Sequence, residues 1–309
     1  MYNFVVSKFK YNMSKKEKLF ENFPPVSTEE WMEKVEKDLK GKDFNKKLVW
    51  HTNEGIDFKP FYRQEDMENI NYFKDNNGFP FIKEAKEKLN EWKVNQNVCI
   101  TEPGEANKKV RNAIERGADS IGFYSESSIG CPYAEAFAKY DKFEKLINGF
   151  PFEKAMIHYI ENNNATAFLS LLDEYADKNN IDKNNIKGSI GYDPLGLLAI
   201  TGKFPVEENS LFEKSANLVK YADSALPNIK AITINGQYYN NAGANSIQEL
   251  AFSLAQANEY LAGISEKGID IDTLANKFMF KFAAGSNYFM EIAKLRAARL
   301  LWAKIVEQY

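Results

Sequence analysis

Histidine and cysteine, the side chains best suited to acid–base and nucleophilic work near neutral pH, are scarce in this 309-residue chain. Histidine occurs only as His51 and His158, and cysteine only as Cys99 and Cys131. The histidines are far apart and lack metal-ligand spacing, and the cysteines form no CxxC pair, so neither a zinc site nor a disulfide framework is expected. A richer stretch is TINGQYYNNAGANSIQELAFSLA, from Thr233 to Ala255. Its apolar start breaks into Asn-Gly-Gln-Tyr-Tyr-Asn-Asn, then Ala-Gly-Ala, then an amphipathic helix. Polar side chains and glycines at the C-terminal end of a strand are where α/β proteins place their chemistry. Tyr238, Tyr239 and Asn240 are therefore candidate pocket residues. Lys281 is another, in the run KFMFKFAAG. Period-two alternation sets Phe278, Phe280 and Phe282 on one face of that strand and Met279 with Lys281 on the other. The phenylalanines suit a helix-facing side, which leaves Lys281 pointing inward, where a buried amine needs a partner or a pocket.

Other candidates have ordinary explanations. In GYDPLG, Asp193 before Pro194 reads as a helix N-cap followed by proline at the first helical position, the alternative being a ligand contact by Asp193 or Tyr192. The stretch Gly196–Phe204 fails as a phosphate loop, because five residues separate its glycines and Phe204 follows Lys203 where Ser or Thr is required. His158, between Ile157 and Tyr159 in an apolar run, fits a satisfied strand residue. His51 fits a structural position in a hairpin.

These residues must be held by elements that the pattern also predicts. Ser27 and Glu30 resemble a capping box opening a helix from Thr28 to about Leu39, stopped by Gly41. Two short strands around Asn53-Glu54-Gly55 form a hairpin, residues 67–80 read as loop, and FIKEAKEKLNEWK as a further helix. From Val98 onward, β-rich runs alternate with helices: VCI then 104–116, SIGFYS then 133–147, KAMIHYI then 165–179. KGSIGYD then 195–201 and 211–223, IKAITING then 246–264, and KFMFKFAAG then 287–308 complete the series. Such alternation implies right-handed βαβ crossovers and a parallel sheet. Six units suit an open doubly wound sheet, or a (β/α)8 barrel short by about two units. The last helix reads as well packed, with a solvated stripe of charges.

Composition narrows the partners. The formal charge is −3, with acids and bases intermingled, and gives no basic footprint for nucleic acid. No apolar run approaches the roughly 18 residues that span a bilayer. The opening MYNFVVSKFKYN lacks the apolar core and small-residue cleavage site of a secretory signal, so a cytoplasmic, reducing location is expected.

The last two elements, GIDIDTLANKFMFKFAAGSNYFMEIAKLRAARLLWAKIV, resemble the signature of the methylmalonyl-CoA mutase family. INGQYYNNAGANSIQELAFSLAQANEYL is similar to that family's active-site strand and helix, and EEWMEKVEKDLKGKDFNKKLVWHTNEGIDFKPFY to its stretch before the barrel. GYDPLGLLAITG looks like the version in the small subunit of heterodimeric members. The resemblance covers nearly the whole chain from about Lys18. It implies a truncated (β/α)8 barrel of the TIM type over 93–309, preceded by a helical and hairpin extension over 1–92 that contacts another subunit. It implies adenosylcobalamin-dependent exchange between methylmalonyl-CoA and succinyl-CoA, with the coenzyme A ester along the barrel axis. This chain departs from the active pattern. Tyr238 stands where active members carry histidine, Gly191 where they carry glutamine, and Thr201 and Lys277 at arginine positions. VCITEPGEANKK lacks the substrate-side tyrosine, and the cobalamin motif DxHxxG is absent. The resemblance thus implies a non-catalytic small subunit with no catalytic residue, metal or cofactor of its own, partnered by a catalytic large subunit that holds adenosylcobalamin. Tyr192, Tyr238, Tyr239, Asn240 and Lys281 would line a degenerate pocket. The alternatives are a self-sufficient enzyme using Tyr238 or Lys281 as acid or base, and a free-standing protein that binds a coenzyme A ester without turnover.

Overall fold

A computed structural model describes residues 23–68, 70, 92–124, 139–160, 164–204, 207 and 210–309. The chain divides into two compact units, Met1–Asn76 and Asn77–Tyr309. In the first, helix α1 (Thr28–Leu39) begins where the Ser27 hydroxyl accepts the Glu30 N–H at 3.2 Å. It ends at Lys40, which itself takes the left-handed conformation (φ 53°) one residue ahead of the expected Gly41. Helix α2 (Phe44–Leu48) is capped by Asp43. Strands β1 (Trp50–His51) and β2 (Asp57–Phe58) pair antiparallel, with Gly55 supplying the positive φ of the turn. None of the described apolar side chains in this unit is buried; Trp50 is 56% and Tyr62 59% exposed. The helix expected at 81–93 falls almost wholly outside the described residues.

The second unit repeats strand and helix. Strand β3 (Asn95–Cys99) leads to α3 (Pro103–Glu115), β4 (Ser120–Tyr124) to α4 (Tyr140–Ile147), and β5 (Met156–Tyr159) to α5 (Ala165–Lys178). Then follow β6 (Gly188–Ile190), α6 (Pro194–Thr201), α7 (Leu211–Ala225), β7 (Ile229–Lys230) and β8 (Ile232–Asn235). Helices α8 (Gln237–Asn241), α9 (Ser246–Ser265) and α10 (Ile271–Ala275), strand β9 (Phe278–Lys281) and helix α11 (Tyr288–Val306) complete the unit. The fifth apolar run is thus divided at Ala231 into β7 and β8. The helix expected at 133–147 is described from Tyr140 only.

Strand order is consecutive, β3-β4-β5-β6-β7 in a five-stranded parallel sheet and β8-β9 in a parallel pair. The Thr233 N–H donates to the Tyr192 carbonyl at 3.0 Å and its hydroxyl to the Ile190 carbonyl at 2.6 Å, stitching β8 to the end of β6. A doubly wound sheet reverses its strand order to place helices on both faces; no reversal occurs among the described strands. Successive right-handed crossovers in one direction put the helices on one face.

That face is apolar. Ile121, Phe123, Ile157, Tyr159, Ile190, Ile232 and Ile234 are buried against Phe143, Phe168, Leu172 and Val219 from the helices. Tyr159 stacks on Phe168 at 4.9 Å between ring centroids, and Phe143 meets Phe168 edge-on at 5.4 Å. Each such burial contributes about 1.5–3 kcal/mol before the cost of ordering the chain. Alternation sends the remaining strand side chains, Asn97, Met156 and His158 among them, to the opposite face.

Candidate functional site

A cavity of about 570 Å³ lies on that opposite face. Asn95 and Asn97 of β3, Ser120 of β4, Met156 and His158 of β5, and Met279 and Lys281 of β9 all line it. Strands at the two ends of the series share one cavity, so the strands curl around it. On β9, Met279 and Lys281 face the cavity, while Phe278 and Phe280 pack on Trp302 of α11 at 5.3 and 5.0 Å; the expected alternation is incomplete, because Phe280 and Phe282 also reach the cavity wall.

Two titratable groups meet there. Burial, with the positive charge of Lys281 nearby, lowers the His158 imidazole to about 4, so it is neutral at pH 7. Its Nδ1 lies 2.7 Å from the Ser189 hydroxyl. Burial also lowers the Lys281 amine to about 8, with Asp193 pulling it partly back. The Lys281 Nζ is buried and has no hydrogen-bond partner among the described residues.

Asp193 organises the wall behind the cavity. It caps α6 by accepting the Gly196 N–H at 2.9 Å, with Pro194 at the first helical position. It also accepts the N–H and the side-chain amide of Asn235 at 3.1 and 2.8 Å, the Gln256 amide at 2.5 Å and the Tyr260 hydroxyl at 3.1 Å. Burial raises its pKa, and the hydrogen bonds from Asn235 and Gly196 oppose that rise. Both the cap and the hub are structural uses of this carboxylate.

The sequence-derived pocket residues do not all converge. Lys281 lines the cavity. Tyr192 lines a different one, of about 440 Å³, beside Thr166 of α5 and Tyr221 of α7. The Tyr239 hydroxyl donates to Gln256 at 2.6 Å and its ring lies 5.4 Å from Phe252, both on α9. Asn240 donates to the Ala244 carbonyl at 3.3 Å, within its own turn. Tyr238 is half-buried on α8. Gln237, one residue earlier, lines the cavity instead; only its place directly after the strand-ending Gly236 marked it in the sequence.

The two positions at which the resemblance implies arginine use their polar atoms within the chain. The Thr201 hydroxyl donates to the Leu197 carbonyl at 2.7 Å, one turn back on its own helix. Lys277, 2% exposed, donates to the Pro227 carbonyl at 2.6 Å and pairs with Asp223 at 3.0 Å. The histidines do not fit the lower ligand of a cobalamin: His51 pairs with Asp57 at 2.6 Å in the hairpin, and His158 is buried against Ser189. Among the described residues no group of His, Cys, Asp or Glu is arranged to hold a metal ion, and no helix is long and apolar enough to cross a membrane.

Consecutive parallel βα units, with helices on one face and a cavity on the other, make this an α/β protein consistent with part of a (β/α)8 barrel. Residues 51–309 match the family model described as methylmalonyl-CoA mutase, and the chain belongs to that family. It is 36% identical over 297 residues to the methylmalonyl-CoA mutase small subunit of Porphyromonas gingivalis, covering 95% of this chain and 46% of that one. Against the Streptomyces virginiae small subunit, identity is 30% over 297 residues, covering 92% and 46%. Against the large subunit from the same organism it is 28% over 305 residues, covering 93% and 41%. The chain spans less than half the length of each of these relatives.

Proposed function

We propose that this chain is barrel-forming sequence of a non-catalytic small subunit, supporting a large subunit that isomerises methylmalonyl-CoA and succinyl-CoA with adenosylcobalamin. The observation that carries the reading is the fate of the positions matching the family's reacting groups. Tyr238 cannot supply a proton near neutral pH as an imidazolium would, which is worth about 10²- to 10⁴-fold in rate. Thr201 and Lys277 spend their polar atoms on the chain's own carbonyls and on Asp223. Neither remains to recognise a carboxylate. The likeness to chains named small subunits supports the same reading.

In this reading residues 1–92 form the subunit-contact segment and 93–309 the partial barrel. Exposed Trp50 and Tyr62, in a unit with no buried apolar side chain among those described, support a partner surface there. In this reading the cofactor is held by the large subunit, and the two histidines of this sequence have structural roles in the hairpin and beside Ser189. The cysteine content fits the cytoplasm. The test is an isomerase assay with added adenosylcobalamin. The chain alone should be inactive and the complex with the large subunit active; turnover by the chain alone overturns the reading.

A further inference from the structure

The cavity beside β9 holds two buried polar atoms with no hydrogen-bond partner among the described residues: the Lys281 Nζ, a donor, and the Gln237 Oε1, an acceptor. The direction of the Gln237 amide follows from its neighbours. The Asp193 carboxylate can only accept, so Asn235 presents its Nδ2 to Asp193 at 2.8 Å and its Oδ1 the other way. That Oδ1 takes the Gln237 Nε2 at 3.1 Å, which leaves the Gln237 oxygen without a donor. An unpaired buried donor or acceptor costs about 1–3 kcal/mol, and an unpaired buried ammonium more.

No described wall residue neutralises Lys281. Among the described residues that line the cavity none is acidic, and the other cation, Lys93, pairs with Asp119 at 3.3 Å. His158 is neutral at pH 7 and held by Ser189. Asp193, the anion whose charge reaches Lys281, is committed to Gly196, Asn235, Gln256 and Tyr260. The remaining wall offers Met156, Ile160, Met279 and Phe282 to a short carbon skeleton.

We propose that this cavity binds a small organic anion that carries its own hydrogen-bond donor, of the short hydroxycarboxylate class, with Lys281 pairing the carboxylate and Gln237 accepting from the hydroxyl. A charge-assisted bond satisfies the amine, and the hydroxyl satisfies the amide oxygen. The site does not depend on the subunit reading, because it is built from this chain's own side chains and is measured by binding without turnover.

The experiment is calorimetric titration of the full chain with 3-hydroxybutyrate and lactate, and with butyrate and propionate as partners lacking the hydroxyl. The hydroxy acids should bind at least about tenfold more tightly than their deoxy analogues, since a site built for a hydroxyl rejects a ligand that leaves its acceptor unpaired. Gln237→Leu should erase that ratio. Lys281→Met should weaken both kinds of ligand at least about tenfold, while Lys281→Arg keeps the charge and retains part of the affinity. Pairing with an anion also raises the Lys281 amine from about 8, so binding at pH 8.5 should take up protons, read from the buffer dependence of the heat. That measurement uses the unaltered chain and serves even if the Met variant does not fold. No binding of any of the four, equal binding of hydroxy and deoxy acids, or binding without proton uptake overturns the proposal.

Discussion

The ammonium of Lys294 on α11 lies 2.8 Å from the carboxylate of Glu249 on α9, with the two side chains 2% and 0% exposed. Lys294 also donates to the Ala283 carbonyl at 2.6 Å and pairs with Glu291 at 2.8 Å, while Glu249 accepts the Ala283 N–H at 2.7 Å. The pair fastens two helices and the backbone just past β9. Burial alone would lower the Lys294 pKa, but its bonds to Glu249 and Glu291 outweigh that and raise it.

Replacing Lys294 by Met should therefore leave Glu249 as an uncompensated buried charge. The expected loss is about 3–5 kcal/mol in urea unfolding. The double variant Lys294→Met with Glu249→Gln should recover part of it. A cost below about 1 kcal/mol for the single change would show that the pair is dispensable.

His158 predicts a pH dependence. Its imidazole titrates near 4 in the fold and near 6.5 when unfolded. Between those values the unfolded chain takes up a proton that the folded chain refuses, so stability falls as pH drops from 6.5 to 4. The contribution is about 3 kcal/mol across the window. His158→Asn should flatten that part of the pH–stability curve, measured by denaturant unfolding at pH 7.5 and 4.5. Parallel curves for the two proteins would remove the assignment.

Gly188 predicts a backbone effect. A Cβ there would stand 1.6 Å from the Ile157 carbonyl oxygen, across the β5–β6 ladder, at φ +152°. Gly188→Ala should cost more than about 3 kcal/mol or prevent folding. At Gly122 the obstacles are the side-chain ends of Asn97 and Ile160, at 2.5 and 2.6 Å, which can swing aside. Gly122→Ala should cost about 1–3 kcal/mol. Thermal unfolding of the two variants compares them directly, and equal losses would contradict the geometry.

The order of elements was legible in the sequence because it depends on local chemistry. Alternating β-rich and helical runs, Asp193 before Pro194, and the Gly55 turn each act over a few residues, and the structure has its elements there. The cavity-facing side of Lys281 followed from alternation along one strand, whereas Phe280 and Phe282, expected on the other face, also touch the cavity. The doubly wound and barrel alternatives could not be told apart by alternation, because both give the same run of elements. The consecutive pairing of β3 to β7 is a long-range fact.

What only the tertiary structure decided are relationships between distant residues. In sequence, Lys294 belonged to a solvated stripe of charges on a helix with apolar residues over a wide arc. Its burial depends on Glu249, 45 residues earlier on another helix. Asp193 read as a cap, but its other donors come from Asn235, Gln256 and Tyr260, which no local pattern connects. Tyr192, Tyr238, Tyr239, Asn240 and Lys281 read as neighbours of one pocket; in the fold Lys281 reaches the cavity while Tyr239 turns back onto Gln256. Spacing along a chain fixes which face of its own element a side chain occupies. Which partner meets that face, and whether water reaches it, is settled only when the elements pack.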